Sequence, residues 1–128
     1  MPGDYSVNLL LSFPNPLNSI TANFKVDTGC RPDLVITADI VKALGLNMSK
    51  TKTVQLVQGS QVFSYTEEPV NIQFTTGRST VRTHNTTRTF LGEYNLLGKQ
   101  AMASLGITIP RDASPGVIFI FDFPDDEF

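Results

Sequence analysis

Phe24-Lys25-Val26-Asp27-Thr28-Gly29-Cys30 is the stretch on which the reading of this chain turns. Just before it and into it, Ile20, Ala22, Phe24 and Val26 are apolar, while Thr21, Asn23 and Lys25 between them are polar. That is the period-two pattern of a half-buried strand. The strand delivers an aspartate, a hydroxyl residue and a glycine in succession. Val26 anchors the strand end, so Asp27 is expected on a rigid support. Thr28 brings a hydroxyl that both donates and accepts, and Gly29 lets the backbone turn sharply and approach a neighbour closely. A carboxylate held by such a loop is a candidate acid–base group. Asp, Thr and Gly are also ordinary turn formers, so the tripeptide alone reads as well as a strand-ending turn, and context decides.

Upstream, Val7, Leu9, Leu11 and Phe13 mark a first strand, and the turn formers of 13–19 join it to the second as a hairpin. Downstream, Leu34-Val35-Ile36 is a short buried strand. Thr37 then caps a helix from Ala38 to Leu44 that Gly45 ends. Thr53 to Val57 and Val62 to Tyr65 flank Gln58-Gly59-Ser60-Gln61 as a glycine-tipped β-hairpin. Val70, Ile72 and Phe74 alternate as another strand. After the turn Thr76-Gly77-Arg78, Ser79 to His84 is a polar strand expected to be exposed. Arg88 to Leu91 extends again. Leu96-Leu97-Gly98 precedes a short helix, Lys99 to Leu105, ended by Gly106. Ile107 to Ile109, a Pro/Gly loop, a strand from Val117 to Phe121 and a solvated acidic tail complete the chain. Many short strands with turn signals between them predict a mostly-β domain, a small barrel or sandwich with two short helices.

The chain of 128 residues, 41% hydrophobic and with formal charge −2, reads as one domain, 1–128, with its core at about 5–122. Near-neutral charge predicts no nucleic-acid partner and no attraction to an anionic membrane, and no apolar run reaches bilayer-spanning length. A single cysteine excludes an intrachain disulfide, and the start of the sequence lacks a basic-then-apolar leader. A reducing, cytoplasmic setting is the simpler expectation. One histidine and one cysteine leave little for a metal site, so neither metal nor cofactor is expected. The terminal Asp125-Asp126-Glu127 reads as part of the solvated tail. Cys30 with His84 suggests a thiol nucleophile only if the fold brings them together. Otherwise Cys30 is a small buried hydrophobe and His84 a surface polar residue.

In the order of its pieces the sequence resembles the retropepsin-like family of aspartic proteases. Val26-Asp27-Thr28-Gly29-Cys30 is similar to the family's active-site loop, the Gly59 hairpin to its flap, and Leu96-Leu97-Gly98 with the following helix to its second motif and C-terminal helix. The resemblance covers roughly Val7 to Phe121 and implies a small closed β-barrel of the acid-protease type with one or two short helices. It departs from viral members at Arg31 and Lys99, two like charges where an ion pair is usual, with Asp33 a candidate substitute. The hairpin is also less glycine-rich than viral flaps.

The resemblance implies an aspartic endopeptidase. Two carboxylates about 3 Å apart share one proton, since both cannot ionise so close together. The ionised one activates a water and the protonated one polarises and then protonates the peptide carbonyl. One Asp-Thr-Gly per chain then requires a homodimer with Asp27 of each copy on the two-fold axis. Asp27, Thr28 and Gly29 would form the catalytic loop, with Thr28 bridging the two copies. Gln58, Gly59 and Ser60 would close over a peptide or protein substrate bound as an extended strand. Leu96, Leu97 and Gly98 would support the loop from beneath. Val57, Val62 and Leu34 are candidate pocket walls or plain core, and the strand Val117 to Phe121 takes the place of a dimer-interface strand. The competing expectation is a retropepsin-like dimerisation or peptide-binding module with little or no catalysis.

Overall fold

Alternating sequence becomes paired strand where each residue's partner has the same parity, and the first hairpin shows this directly. The computed structural model describes residues 6–14, 17–27, 32–57, 59–76, 79–108 and 119–120. β1 (Ser6–Ser12) pairs antiparallel with β2 (Ser19–Val26). Val7 lies opposite Phe24, Leu9 opposite Ala22 and Leu11 opposite Ile20, so the apolar residues of both strands share one face. Leu9, Leu11 and Phe24 are fully buried there.

β3 (Leu34–Ile36) leads to α1 (Ala38–Leu44), which buries Ile40 and Leu44. Thr37 is the N-cap residue but makes no side-chain cap bond, and Gly45 ends the helix at φ 70°, a left-handed conformation that glycine adopts without penalty. β4 (Lys50–Leu56) and β5 (Gly59–Thr66) form a long hairpin. β6 (Asn71–Thr75), β7 (Val81–Asn85), β8 (Thr89–Leu91) and β9 (Leu96–Leu97) follow. α2 (Lys99–Ser104) then precedes β10 (Ile107–Thr108), which pairs with β11 (Phe119–Ile120) in a separate two-stranded sheet. β10 and β11 fall inside the predicted segments 107–109 and 117–121, and the acidic tail lies outside the described residues.

The other nine strands form one mixed sheet in the order β4-β5-β8-β3-β9-β2-β1-β6-β7. The fold is therefore mostly β with two short helices, as the sequence predicts. The expected closure into a barrel does not occur among the described residues, because β4 and β7 end the order without pairing to each other. The physical reason lies in the two ends. Among the described side chains of 51–62 none is buried, and the half-buried Val54 lines a cavity beside β3 and β8 rather than facing β7. β7 packs against α2 instead.

β7 departs in part from its expected exposure: Val81, Thr83 and Asn85 are exposed, as a polar surface strand should be, but the two residues between them are not. Arg82 is buried and His84 half-buried, whereas Val81 is exposed. Arg82 and His84 thus turn inward, His84 toward Asp33 and toward Ser104 of α2, while Thr83 and Asn85 stay exposed.

Candidate active site

β9 is only two residues long, yet it lies between the strand that leads to Asp27 and the strand that leaves its loop. It runs parallel to β2, with Leu96 beside Lys25 and Leu97 beside Val26. It runs antiparallel to β3, with Leu97 beside Leu34 and Leu96 beside Val35. Backbone hydrogen bonds continue this ladder beyond the strands. The Asp27 N–H donates to the Leu97 carbonyl at 3.0 Å, and the Gly98 N–H donates to the Asp33 carbonyl at 2.8 Å. Both ends of the 27–33 loop are thus fastened to the same dipeptide junction, Leu97-Gly98. Leu97 is wholly buried and Leu96 half-buried.

Asn95 adds a second fastening that the sequence does not reveal. Its carbonyl accepts from the Lys25 N–H at 3.0 Å and its Oδ1 from the Thr37 N–H at 3.1 Å. Its Nδ2 donates to the Asn23 carbonyl at 3.4 Å. One amide side chain therefore ties β2 to the start of α1.

Strand parity divides the sheet around β9 into two faces. Val26, Leu34, Ile36 and Leu97 fall on the core face and are buried. Val35, Phe90 and Leu96, lateral neighbours across β8, β3 and β9, fall on the other. That second face forms one wall of a cavity of about 470 Å³, lined also by Pro32, Leu91 and the 92–94 turn. Val54, Gln61 and Phe63 of the β4–β5 arm line it from the hairpin side. Just below, Tyr65 stacks on Phe90 with ring centroids 4.9 Å apart, which fixes the base of the arm against β8. Continuing the alternation of β2, Asp27 falls on the side of Lys25 and Leu96, the side of the cleft.

The hairpin corrects several expectations. Leu56 pairs with Gly59, so Gly59 and Ser60 already belong to β5 rather than to the loop. Gly59 has φ 129°, and a Cβ placed on it would meet nothing within 4 Å, so the glycine is needed for its conformation and not for space. Ser60 Oγ donates to Gln55 Oε1 at 2.8 Å across the strands, which extends the pairing toward the tip. Val57 is 106% exposed and Val62 62%, while Leu34 is core; none of the three lines the cavity. The wall residues are their neighbours of opposite parity, Val35, Val54 and Phe63. Thr28, Gly29, Cys30, Arg31 and Gln58 lie outside the described residues, so the Cys30–His84 pairing does too.

Asp33 does not turn to Lys99. Its side chain is 4% exposed, and Oδ2 accepts from the Thr87 N–H at 2.8 Å and from the Thr87 hydroxyl at 3.3 Å. His84 Nε2 is buried 3.3 Å from the same oxygen without meeting hydrogen-bond geometry, and His84 Nδ1 is 3.0 Å from Ser104 Oγ. Serine, imidazole and carboxylate stand here in a nucleophile-like order. Ser104, however, closes α2, where the unpaired carbonyls of a helix end oppose a developing oxyanion, and it does not line the cleft. Among the described residues no group of three or more His, Cys, Asp or Glu side chains is arranged to hold a metal ion, and no helix is long and apolar enough to cross a membrane.

A comparison with models of known protein families gives no match, and a comparison with curated protein sequences gives none either.

Proposed function

We propose that this protein is an aspartic endopeptidase of the retropepsin-like type, working as a homodimer with Asp27 of each copy meeting at the two-fold axis. The observation that carries the reading is the fastening of Asp27. Its strand and the strand after its loop flank β9, and its amide is held by the Leu97 carbonyl. Asp27 does not itself line the apolar cleft, whose wall includes Leu96, the β9 neighbour of Lys25. Acid–base chemistry on a peptide needs a carboxylate fixed to within a fraction of an ångström, and backbone bonds at both ends of a short loop supply that rigidity. The cleft gives an extended peptide an apolar place for a side chain, and the adjoining hairpin offers strand edges for its main chain.

In this mechanism the two carboxylates share a proton. One takes a proton from the attacking water while the other protonates the carbonyl oxygen of the scissile bond. On collapse of the tetrahedral diol the first gives its proton to the leaving nitrogen and the second takes one back from a diol hydroxyl. The C–N bond breaks, the acid and amine are released and the pair is restored.

The test is cleavage of an unbiased peptide mixture across roughly pH 4 to 7, the range a shared-proton pair suggests, by wild type and by Asp27→Asn at matched dimer content. Cleavage by the wild type should fall by at least about 10²-fold in the variant, the lower end of what a positioned acid–base group contributes. No cleavage by a folded wild-type dimer would reject catalysis and leave a peptide-binding module.

A further inference from the structure

Asp33 closes the loop that Asp27 opens, and its side chain is held by residues for which the proposed chemistry has no use. Thr87, in the turn between β7 and β8, gives the carboxylate two donors, and His84 of β7 brings Nε2 to 3.3 Å. A carboxylate withdrawn from water needs such donors, because its charge is costly to bury alone. The buried Nε2 faces Asp33 Oδ2 just outside hydrogen-bond geometry, and on the other side of the ring Nδ1 and the Ser104 hydroxyl are 3.0 Å apart. A chain of contacts therefore runs from the exposed end of α2 through the imidazole to the far end of the loop. The Asp33 carbonyl accepts from the Gly98 N–H next to Leu97, whose carbonyl holds the Asp27 amide.

We propose that His84 is a positioning residue that acts through Asp33: it holds the 27–33 loop in register with β9 and so fixes Asp27 for the reaction proposed above. The proposal rests on that peptidase reading for its catalytic part and on the His84–Asp33 geometry for its structural part. His84 touches no substrate. Its removal leaves Asp33 with the Thr87 donors and lets the carboxylate, and the loop end with it, drift. A displacement of about 1 Å far from the chemistry is enough to lower a rate about 100-fold.

The experiment compares wild type, His84→Ala and His84→Gln as full chains at matched dimer content. Steady-state kinetics on a peptide the wild type cleaves are read beside amide hydrogen exchange. In His84→Ala, kcat should fall tenfold or more with KM within about twofold. Exchange at the Asp27 and Gly98 amides should quicken tenfold relative to the Leu11 amide in the core. His84→Gln, whose amide can donate to Asp33, should recover most of both. Unchanged kcat, equal quickening throughout the core, or no recovery with Gln overturns the proposal. If His84→Ala does not fold, Ser104→Ala decides by the same comparison, with the same pattern at smaller size. Exchange needs no substrate, so selective loosening beside a wild type that cuts nothing rejects the peptidase reading while the tether stands. Uniform exchange rejects the tether itself.

Discussion

Gly92 forms part of the cleft wall directly over Val35, and replacing it with alanine tests the packing of that wall. Gly92 is not among the glycines with positive φ, so an L-residue is not strained there by its backbone. On backbone grounds alone Gly92→Ala should stabilise by about 0.4–1 kcal/mol, since alanine restricts the unfolded chain. The structure reverses that sign. A Cβ on Gly92 would stand 2.6 Å from Val35 Cγ1, far inside contact distance. Val35 cannot swing away cheaply, because β-branched side chains are stiff at χ1 and its strand is paired on both sides. Nor can the turn lift easily, because the Gly92 N–H donates to the Ile36 carbonyl at 2.9 Å. Overpacking of this kind costs about 1–3 kcal/mol, so the net effect is a loss of roughly 1–2 kcal/mol. With a urea m-value of about 2 kcal/mol/M, the unfolding midpoint should fall by about 0.5–1 M. Removing the obstructing methyl with Val35→Ala should relieve the clash. The double variant should then be more stable than the sum of the singles predicts, by about 1–2 kcal/mol of coupling. Additive singles, or a stabilising Gly92→Ala, would refute the close approach of β3 and the 92–94 turn.

Three further outcomes are expected. Leu97→Ala, at a fully buried position between β2 and β3, should cost about 2–5 kcal/mol, measured by urea unfolding, and a loss under 1 kcal/mol would mean the site collapses without a cavity. Thr86 Oγ1 accepts from the Val70 N–H at 3.0 Å and from the Thr89 hydroxyl at 3.2 Å. Thr86→Val strands both donors and should cost about 1–3 kcal/mol, whereas Thr89→Val removes only a donor and should cost under about 1 kcal/mol; equal losses would refute this assignment of donor and acceptor. Asp27→Asn should abolish cleavage while circular dichroism and sedimentation remain those of a folded wild type, and retained cleavage would place the chemistry elsewhere.

Much of this architecture is written locally in the chain. Alternation in 20–26 gives β2, and Thr37 and Gly45 bracket α1 where turn chemistry says they should. Leu96-Leu97-Gly98 is legible only as a short apolar segment before a helix, and the role expected of it comes from the family resemblance rather than from its residues. What is not written locally is parity and partner. Nothing in Val57, Val62 or Leu34 tells which side of a strand meets the cleft, and a one-residue shift exchanges wall for solvent. The inward turn of Arg82 and His84 depends on a helix and a loop remote in sequence, so a polar strand reads as exposed. Gly59 reads as a hairpin tip because glycine marks turns, but its φ serves the first residue of a strand. The site missed Asn95, Thr87 and Ser104 for the same reason: each is an ordinary polar residue until the fold supplies its partner.

The insertion of β9 between β2 and β3 also sets the order in which the molecule can be built. The bond from Asn95 to Asn23 spans 72 residues, and the backbone bonds from Asp27 to Leu97 and from Gly98 to Asp33, at the two ends of the Asp27 loop, both involve the 95–98 segment. On a ribosome, the hairpin of β1 and β2 can form early, but a nascent chain ending before that segment has a gap where β9 belongs. Long-range pairing of this kind is slow and leaves strand edges open until it is complete. Asp27 therefore acquires its fixed place only once the 95–98 segment has been made, about 70 residues of chain after its own strand. Until then β2 and its aspartate lack the neighbour that holds them.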